Sequence, residues 1–163
     1  MANALYDRVK QKAYDSSRQE AMINLLVAAG HYRQLLNELC GSYGITHDQY
    51  NIMRILHGVY PEGYPRCEII DRMIERTPDV TRLVDRLVKR GYVERVKSET
   101  DKRLSVAKIT QEGSDLLDEM DPKLKKMVKE FSKHVPKKEM KKLSGICSRL
   151  YEPYINEKNS TSE

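Results

Sequence analysis

A chain of 163 residues, 39% apolar and 33% charged, is long enough for one domain or one domain with extensions, and its surface must be highly charged. A net charge of +5 favours a polyanionic partner without identifying one. Cys40, Cys67 and Cys147 are odd in number and far apart, which argues against a disulfide framework and a clustered metal site. No signal peptide or long apolar run is present, so the expected compartment is the cytoplasm, with no membrane partner.

Residues 1–17 are polar with scattered apolar positions and read as a short helix or an arm. Arg18 to Cys40 carries Ala21, Leu25, Ala28, Ala29, Tyr32, Leu35, Leu36 and Leu39 at helical spacing, until Gly41 and Gly44 interrupt it. Thr46 and Gln49 have the spacing of a capping box. The helix behind them should turn Tyr50, Ile52, Met53, Leu56 and Val59 inward. Tyr60 to Pro65 reads as a loop from its Pro and Gly content. Cys67 to Ile74 has Ile69, Ile70, Met73 and Ile74 on one side of a short helix, and Glu75-Arg76-Thr77 is the turn that follows.

Pro78 suits the first turn of the next helix, and Gly91 suits the residue just beyond its end. Between them Val80, Leu83, Val84, Leu87 and Val88 form one apolar stripe, so Arg82, Asp85, Arg86 and Lys89 face away from it. Past Gly91 the period changes. Tyr92–Lys97 and Leu104–Ile109 read as two strands, with residues 98–103 as a polar turn. Helix, three-residue turn, basic helix and charged hairpin together describe a winged helix-turn-helix that reads DNA.

Thr110 is placed to cap a further helix with the stripe Leu116, Leu117, Met120, Leu124, Met127, Val128 and Phe131. Pro122 lies inside it and should kink or split it. Val135-Pro136 opens a last helix with Met140, Leu143, Ile146, Cys147, Leu150 and Tyr154 facing in, and 156–163 reads as a frayed tail. The fold class is therefore mainly α with a small β-hairpin wing. Basic excess does not by itself locate the reading head: residues 123–142 hold nine Lys against two Glu, more lopsided than residues 82–103 with eight Lys/Arg against four Asp/Glu. The Lys-rich run reads as a solvated helix face.

The order and spacing of three blocks resemble the MarR family of bacterial transcription regulators. Ile45-Thr46 with Gln49-Tyr50 is similar to the opening of the family's helix before the reading motif. Val80-Thr81-Arg82-Leu83-Val84-Asp85-Arg86-Leu87 and Gly91-Tyr92-Val93-Glu94-Arg95 resemble its recognition helix and first wing strand. Asp101-Lys102-Arg103, then Ile109-Thr110 and Gly113, resemble the wing's Asp-x-Arg signature and the helix start behind it. The resemblance implies a homodimer, joined by helices from residues 1–45 and 110–163 around a reading region at 46–109. It also implies a near-palindromic double-stranded operator and a small-molecule effector held between dimer helices and reading heads.

Side-chain chemistry then assigns roles. Thr81, Arg82 and Arg86 are the candidates for the major groove, with Pro78 and Asp79 at the entry end, because arginine grips guanine O6 and N7 with two bonds. Lys89, Arg90, Lys97 and Lys102 are candidates for phosphate. Arg103 is the candidate for the minor groove, with Asp101 holding an arginine in position. Asp85 should pair with a neighbouring cation, Lys89 being one turn away. Tyr32, Leu36, Tyr50, Met53 and Met73 are candidates for an effector pocket, although such stripes are more often plain core. Cys67, beside Arg66, is a candidate redox sensor, weighed against the usual role of cysteine as a small apolar filler. His31, His47, His57 and His134 show no ligand spacing, so neither a metal nor another cofactor is expected. The function these readings support is a ligand-responsive repressor. The alternative is a winged-helix protein-interaction module without specific DNA binding, which exposed apolar residues in place of Arg82 and Arg86 would have favoured. No paired carboxylates, nucleophile with a base or Gly-rich phosphate loop points to an enzyme.

Overall fold

Two glycines end the two helices on which the first part of the fold turns. In a computed structural model, residues 4–10, 13–75, 77, 79–97 and 105–160 are described, the last five by backbone alone. Helix α1 is Ala4–Val9 and α2 is Ser17–Ser42. Helix α3 is His47–His57, β1 is Tyr64–Pro65, α4 is Arg66–Arg72 and α5 is Val80–Lys89. Strands β2 (Val93–Lys97) and β3 (Ser105–Ile109) lead to α6 (Gln111–His134) and α7 (Lys137–Ser160). Gly44 at φ +73° and Gly91 at φ +77° take the left-handed conformation that glycine adopts without a Cβ clash. At the first, the Gly44 and Ile45 amides donate to the Gly41 and Cys40 carbonyls. At the second, the Gly91 and Tyr92 amides donate to Val88 and Leu87. Both ends are thus Schellman motifs, each satisfying carbonyls that would otherwise be orphaned.

The chain divides into two compact units, Met1–Leu117 and Asp118–Glu163. In the first, α3 is central and packs against α2, α4, α5 and β3. Its start is the capping box read from the sequence: Thr46 Oγ1 accepts from the Gln49 amide and Gln49 Oε1 accepts from the Thr46 amide. Ile52, Met53 and Leu56 are buried from α3, and Val80, Leu83, Val84 and Leu87 from α5. Each such aliphatic side chain contributes about 1.5–3 kcal/mol by leaving water. Tyr50 and Val59, expected inward, are only half-buried, and Val88 is half-buried at the edge of the α5 stripe.

The sheet is antiparallel in the order β1-β3-β2, with Val93 opposite Ile109 and Lys97 opposite Ser105. The hairpin expected from the sequence is present. The strand β1 is an addition, pairing Tyr64 with Ala107 and Pro65 with Val106 at the sheet edge. Its Pro and Gly surroundings read as a loop because proline lacks a ladder donor, and an edge strand is where that is tolerated. The turn 98–103, and Leu104 with it, lies outside the described residues.

Helix α4 ends at Arg72, earlier than the apolar spacing suggests. Met73 is extended (φ −67°, ψ 138°), so the helical period no longer carries Ile74 inward and Ile74 is 73% exposed. Met73 itself stays buried. Thr110 caps α6 as expected: its Oγ1 accepts from the Gly113 amide and donates to the Gly91 carbonyl.

Helix α6 is continuous through Pro122 rather than split. The proline is exposed, so the Asp118 carbonyl that loses its partner faces water and not the interior. Helix α7 likewise runs to Ser160, where a frayed tail was expected from 156. Of its apolar face, Leu143, Ile146, Leu150 and Tyr154, expected to face in, are exposed, together with Tyr151 and Ile155, whereas Met140 and Cys147 are half-buried. In α2 only Cys40 is buried, while Met22, Leu25 and Leu26 are exposed. No helix among the described residues is long and apolar enough to cross a membrane.

Proline in a helix interior costs about 3 kcal/mol relative to alanine. Pro122→Ala is therefore expected to raise the free energy of unfolding by up to about that amount, read from the denaturant midpoint. An unchanged or lower midpoint would show that the proline is accommodated without cost.

Candidate nucleic-acid interface

Burial on one side of α5 dictates exposure on the other. With Val80, Leu83, Val84 and Leu87 in the core, Thr81, Arg82, Asp85, Arg86 and Lys89 all stand in solvent on one exposed face. Asp79 is the N-cap residue and is half-buried, with no side-chain cap bond. Its Oδ1 lies 3.5 Å from Arg82 Nε, and since Arg82 is 77% exposed this pair is weak and leaves the guanidinium free to be drawn to a ligand. Arg86, Lys89 and Arg90 come together along one open cleft with Gly44 and Gln49. Lys97 is exposed at the end of β2, where the hairpin leaves the sheet. Pro78, Asp101, Lys102 and Arg103 lie outside the described residues.

Asp85 has a different partner from the one expected. It pairs with Arg95 of β2, Nη2 to Oδ1 at 2.8 Å, instead of with Lys89. Arg95 Nη2 also lies 3.5 Å from the Thr81 carbonyl. One guanidinium therefore ties the first wing strand to the exposed side of α5. The acid in an otherwise basic face neutralises Arg95 and leaves Lys89 available. An unpaired carboxylate beside phosphate would be repulsive, and that was the clue in the sequence that Asp85 needed a cation; strand pairing decided which one.

Arg90, expected on phosphate, is engaged within the protein. Its guanidinium donates to the carbonyls of Gly44 and Tyr43 and to the Tyr92 hydroxyl, and lies 5.0 Å from the centre of the Tyr92 ring.

The turn between α4 and α5 is held by residues the sequence reading passed over. Asn51, buried on α3, accepts the Ile74 amide with Oδ1 at 2.9 Å. Arg33 of α2 pairs with Glu75 in the turn at 2.8 Å. A polar Asn between Tyr50 and Ile52 on the inward side of an amphipathic helix is the signal that could have found the first. Nothing in the local pattern marks the second.

Of the candidate effector residues, Met53 and Met73 are buried and Tyr32, Leu36 and Tyr50 are half-buried. A small cleft elsewhere, beneath the wing, is lined by Tyr64, Arg66, Thr81, Arg95 and Ser105 among others. Cys67 is exposed at the start of α4, whereas Cys40 is fully buried and its thiol is pushed up to about 11 by desolvation.

A basic recognition helix, the short helix and turn before it, and an antiparallel hairpin behind it define a winged helix-turn-helix. The MarR family profile matches residues 45–105, which span that motif. The HTH-type transcriptional regulator PrsX of Escherichia coli is 28% identical over 108 residues, covering 66% of this chain and 65% of its own length. The crystal structure of a MarR transcription factor from Planctomyces limnophilus is 29% identical with TM-score 0.64, covering 83% of this chain and 98% of that one. A Staphylococcus aureus MepR–DNA complex shares the fold at TM-score 0.72 and 14% identity, covering 82% of this chain and 97% of that one. The region at residues 45–105 is therefore similar to the winged helix-turn-helix of the MarR family.

Two outcomes follow from this local structure. Asn51→Ala strips the Ile74 amide of its acceptor and should lower stability by about 1–3 kcal/mol in chemical denaturation; an unchanged midpoint would mean water replaces the amide. For the cysteines, a pKa of about 11 keeps Cys40 protonated at neutral pH, so iodoacetamide at pH 7.5 should modify Cys67 and spare Cys40 in the folded chain. The neutral thiol favoured by burial stabilises the fold below the ordinary cysteine pKa. That contribution should decline as pH rises from about 9 toward 11, because there the unfolded chain has released the proton that the folded chain retains. Labelling of Cys40 as fast as Cys67 would refute the assignment.

Proposed function

We propose that this protein is a DNA-binding transcription regulator, acting as a homodimer on a near-palindromic operator and repressing until a small molecule is bound. The observation that carries the reading is the two-sided α5: an apolar stripe locked in the core and Thr81, Arg82, Arg86 and Lys89 presented to solvent beside the hairpin. Thr81, Arg82 and Arg86 take base edges in the major groove, with Pro78 and Asp79 at the entry end. Lys89, Lys97 and Lys102 take phosphate, which fixes register without reading sequence. Arg103, oriented by Asp101, takes the minor groove of the flanking DNA. The Planctomyces relative is a MarR transcription factor, and the MepR structure of the same fold is a complex with DNA.

Dimer formation is supported by the apolar side chains that the single chain leaves in water on α2 and α7, among them Met22, Leu26, Leu150, Tyr151 and Tyr154. On this reading residues 1–45 and 110–163 supply the dimer helices. The effector sits near Tyr32, Leu36, Tyr50, Met53 and Met73, where half-buried aromatic rings lie along α2 and α3. Repression is the simplest output, since occupying an operator blocks it without any further contact surface, and the compartment is the one that holds the DNA, the cytoplasm.

The test starts with duplexes selected from a random pool, followed by titration at several salt concentrations. Two chains per selected duplex are expected by sedimentation. Arg82→Ala and Arg103→Ala should each weaken binding by on the order of a hundredfold at fixed salt, since the dimer loses the contact in both half-sites. Lys89→Ala should instead flatten the slope of log K against log salt by about 1.8, two phosphate contacts per dimer at about 0.9 each. If Arg82→Ala and Arg103→Ala both bind like the parent, the reading is wrong, and weak, salt-insensitive binding by the parent would favour a protein-interaction module.

A further inference from the structure

We propose that Arg90 is a positioning residue, one that sets the pitch of the reading helix by tying its C-terminal end to the C-terminal end of α2. It rests on the DNA-reading role of α5 given above. Arg90 is the C-cap of α5, one residue before Gly91. Across 46 residues of sequence its Nη1 donates to the Gly44 carbonyl. Its Nη2 lies 3.5 Å from the Tyr43 carbonyl and 3.4 Å from the Tyr92 hydroxyl. Tyr43 and Gly44 are the C-cap and the next residue of α2, a helix of 26 residues. The guanidinium therefore sits where the aligned peptide dipoles of α2 concentrate negative charge. The Tyr92 ring, its centre 5.0 Å away, adds a face for the cation.

The two helix ends it joins are the two Schellman ends, and both are stiff. The Gly91 and Tyr92 amides are held by Val88 and Leu87, and the Gly44 and Ile45 amides by Gly41 and Cys40. Ile45 is buried, which anchors the α2 end to the core. A rigid bracket at each end means that the fork between them fixes an angle as well as a distance. A planar guanidinium is suited to this, since its donors are fixed relative to one another, whereas an ammonium is a single point charge. The apolar stripe holds α5 against the core but leaves it free to slide or roll slightly along that greasy contact. A polar tie at one end removes that freedom, and a displacement of about 1 Å in the groove is enough to misplace a bidentate arginine–guanine pair.

A phosphate ligand and a positioning residue give different signatures on removal. In Arg90→Ala, binding of a selected duplex should weaken about tenfold. Binding of an unrelated duplex should change less than twofold, and the salt slope should stay as in the parent. Loss of the contrast between selected and unrelated DNA is not what a general loss of stability would produce below the melting temperature. Arg90→Lys should recover only part of the contrast, because it supplies charge without the fork. A second measurement needs no DNA: amide exchange at Ile45, Gly91 and Tyr92 should speed up together in Arg90→Ala, while Ile52 and Met53 in the α3 core stay protected. A salt slope flattened by about 1.8 per dimer would make Arg90 a phosphate contact and overturn the proposal. So would unchanged exchange at those amides, or equal losses on selected and unrelated duplexes. Failure of the parent to bind any duplex would sink the DNA-reading role instead, with the exchange experiment still deciding whether the tie exists.

Discussion

Burial of four aliphatic side chains of one short helix is the constraint on which the rest depends. Val80, Leu83, Val84 and Leu87 fill the space against α3 and the sheet, and so they decide which side of α5 faces out. A ten-residue helix is too short to persist alone in water, so its existence and its orientation come from the same contacts. Everything polar on α5 is then displayed as a consequence. The cationic face requires no energy of its own to form, because the core selects it.

Apolar contact fixes which side faces out, but it is non-directional and tolerant of small shifts. Direction comes from polar ties at the margins. Asn51 receives the Ile74 amide before α5, Arg95 links Asp85 and Thr81 to the wing from the side, and Thr110 binds the Gly91 carbonyl behind it. Most of these ties use a backbone carbonyl or amide on one side. They are therefore insensitive to the identity of the residue they hold and sensitive to its backbone position.

The division of labour between lysine and arginine follows the same logic. Lys89 and Lys97 stand exposed, suited to a diffuse attraction that salt screens. Arg95 and Arg90 are used inward, where forked donors meet carbonyl and carboxylate oxygens at defined angles. Net charge along the segment does not distinguish these uses. That is why the more basic run at 123–142 says nothing by itself about which cations are left for a ligand.

The elements themselves were legible because their signals are local. The capping box at Thr46 and Gln49, the stripe from Val80 to Leu87 and the glycine at position 91 each act within about one or two turns of chain, and each appears where its spacing places it. Thr110 is legible for the same reason. Local spacing located the wing hairpin, but it did not identify the side-chain partners that lie far away in sequence. Periodicity put Ile74 inside, but α4 stops two residues short of it because Met73 turns extended and Asn51, 23 positions earlier, takes the Ile74 amide. Periodicity also put the α7 stripe inside, yet most of it faces solvent in the single chain, since an amphipathic pattern specifies a face and not what covers it. The partners of Asp85 and Arg90 lie 10 and 46 residues away, and only the folded backbone brings them within bonding distance. The amino-acid order thus determined which segments are helices and strands and which face of each is greasy, because those follow from rotations about neighbouring bonds. The tertiary structure alone decided which charges are left for a ligand and which are bound up within the protein, because a hydrogen bond depends on distance and angle in space.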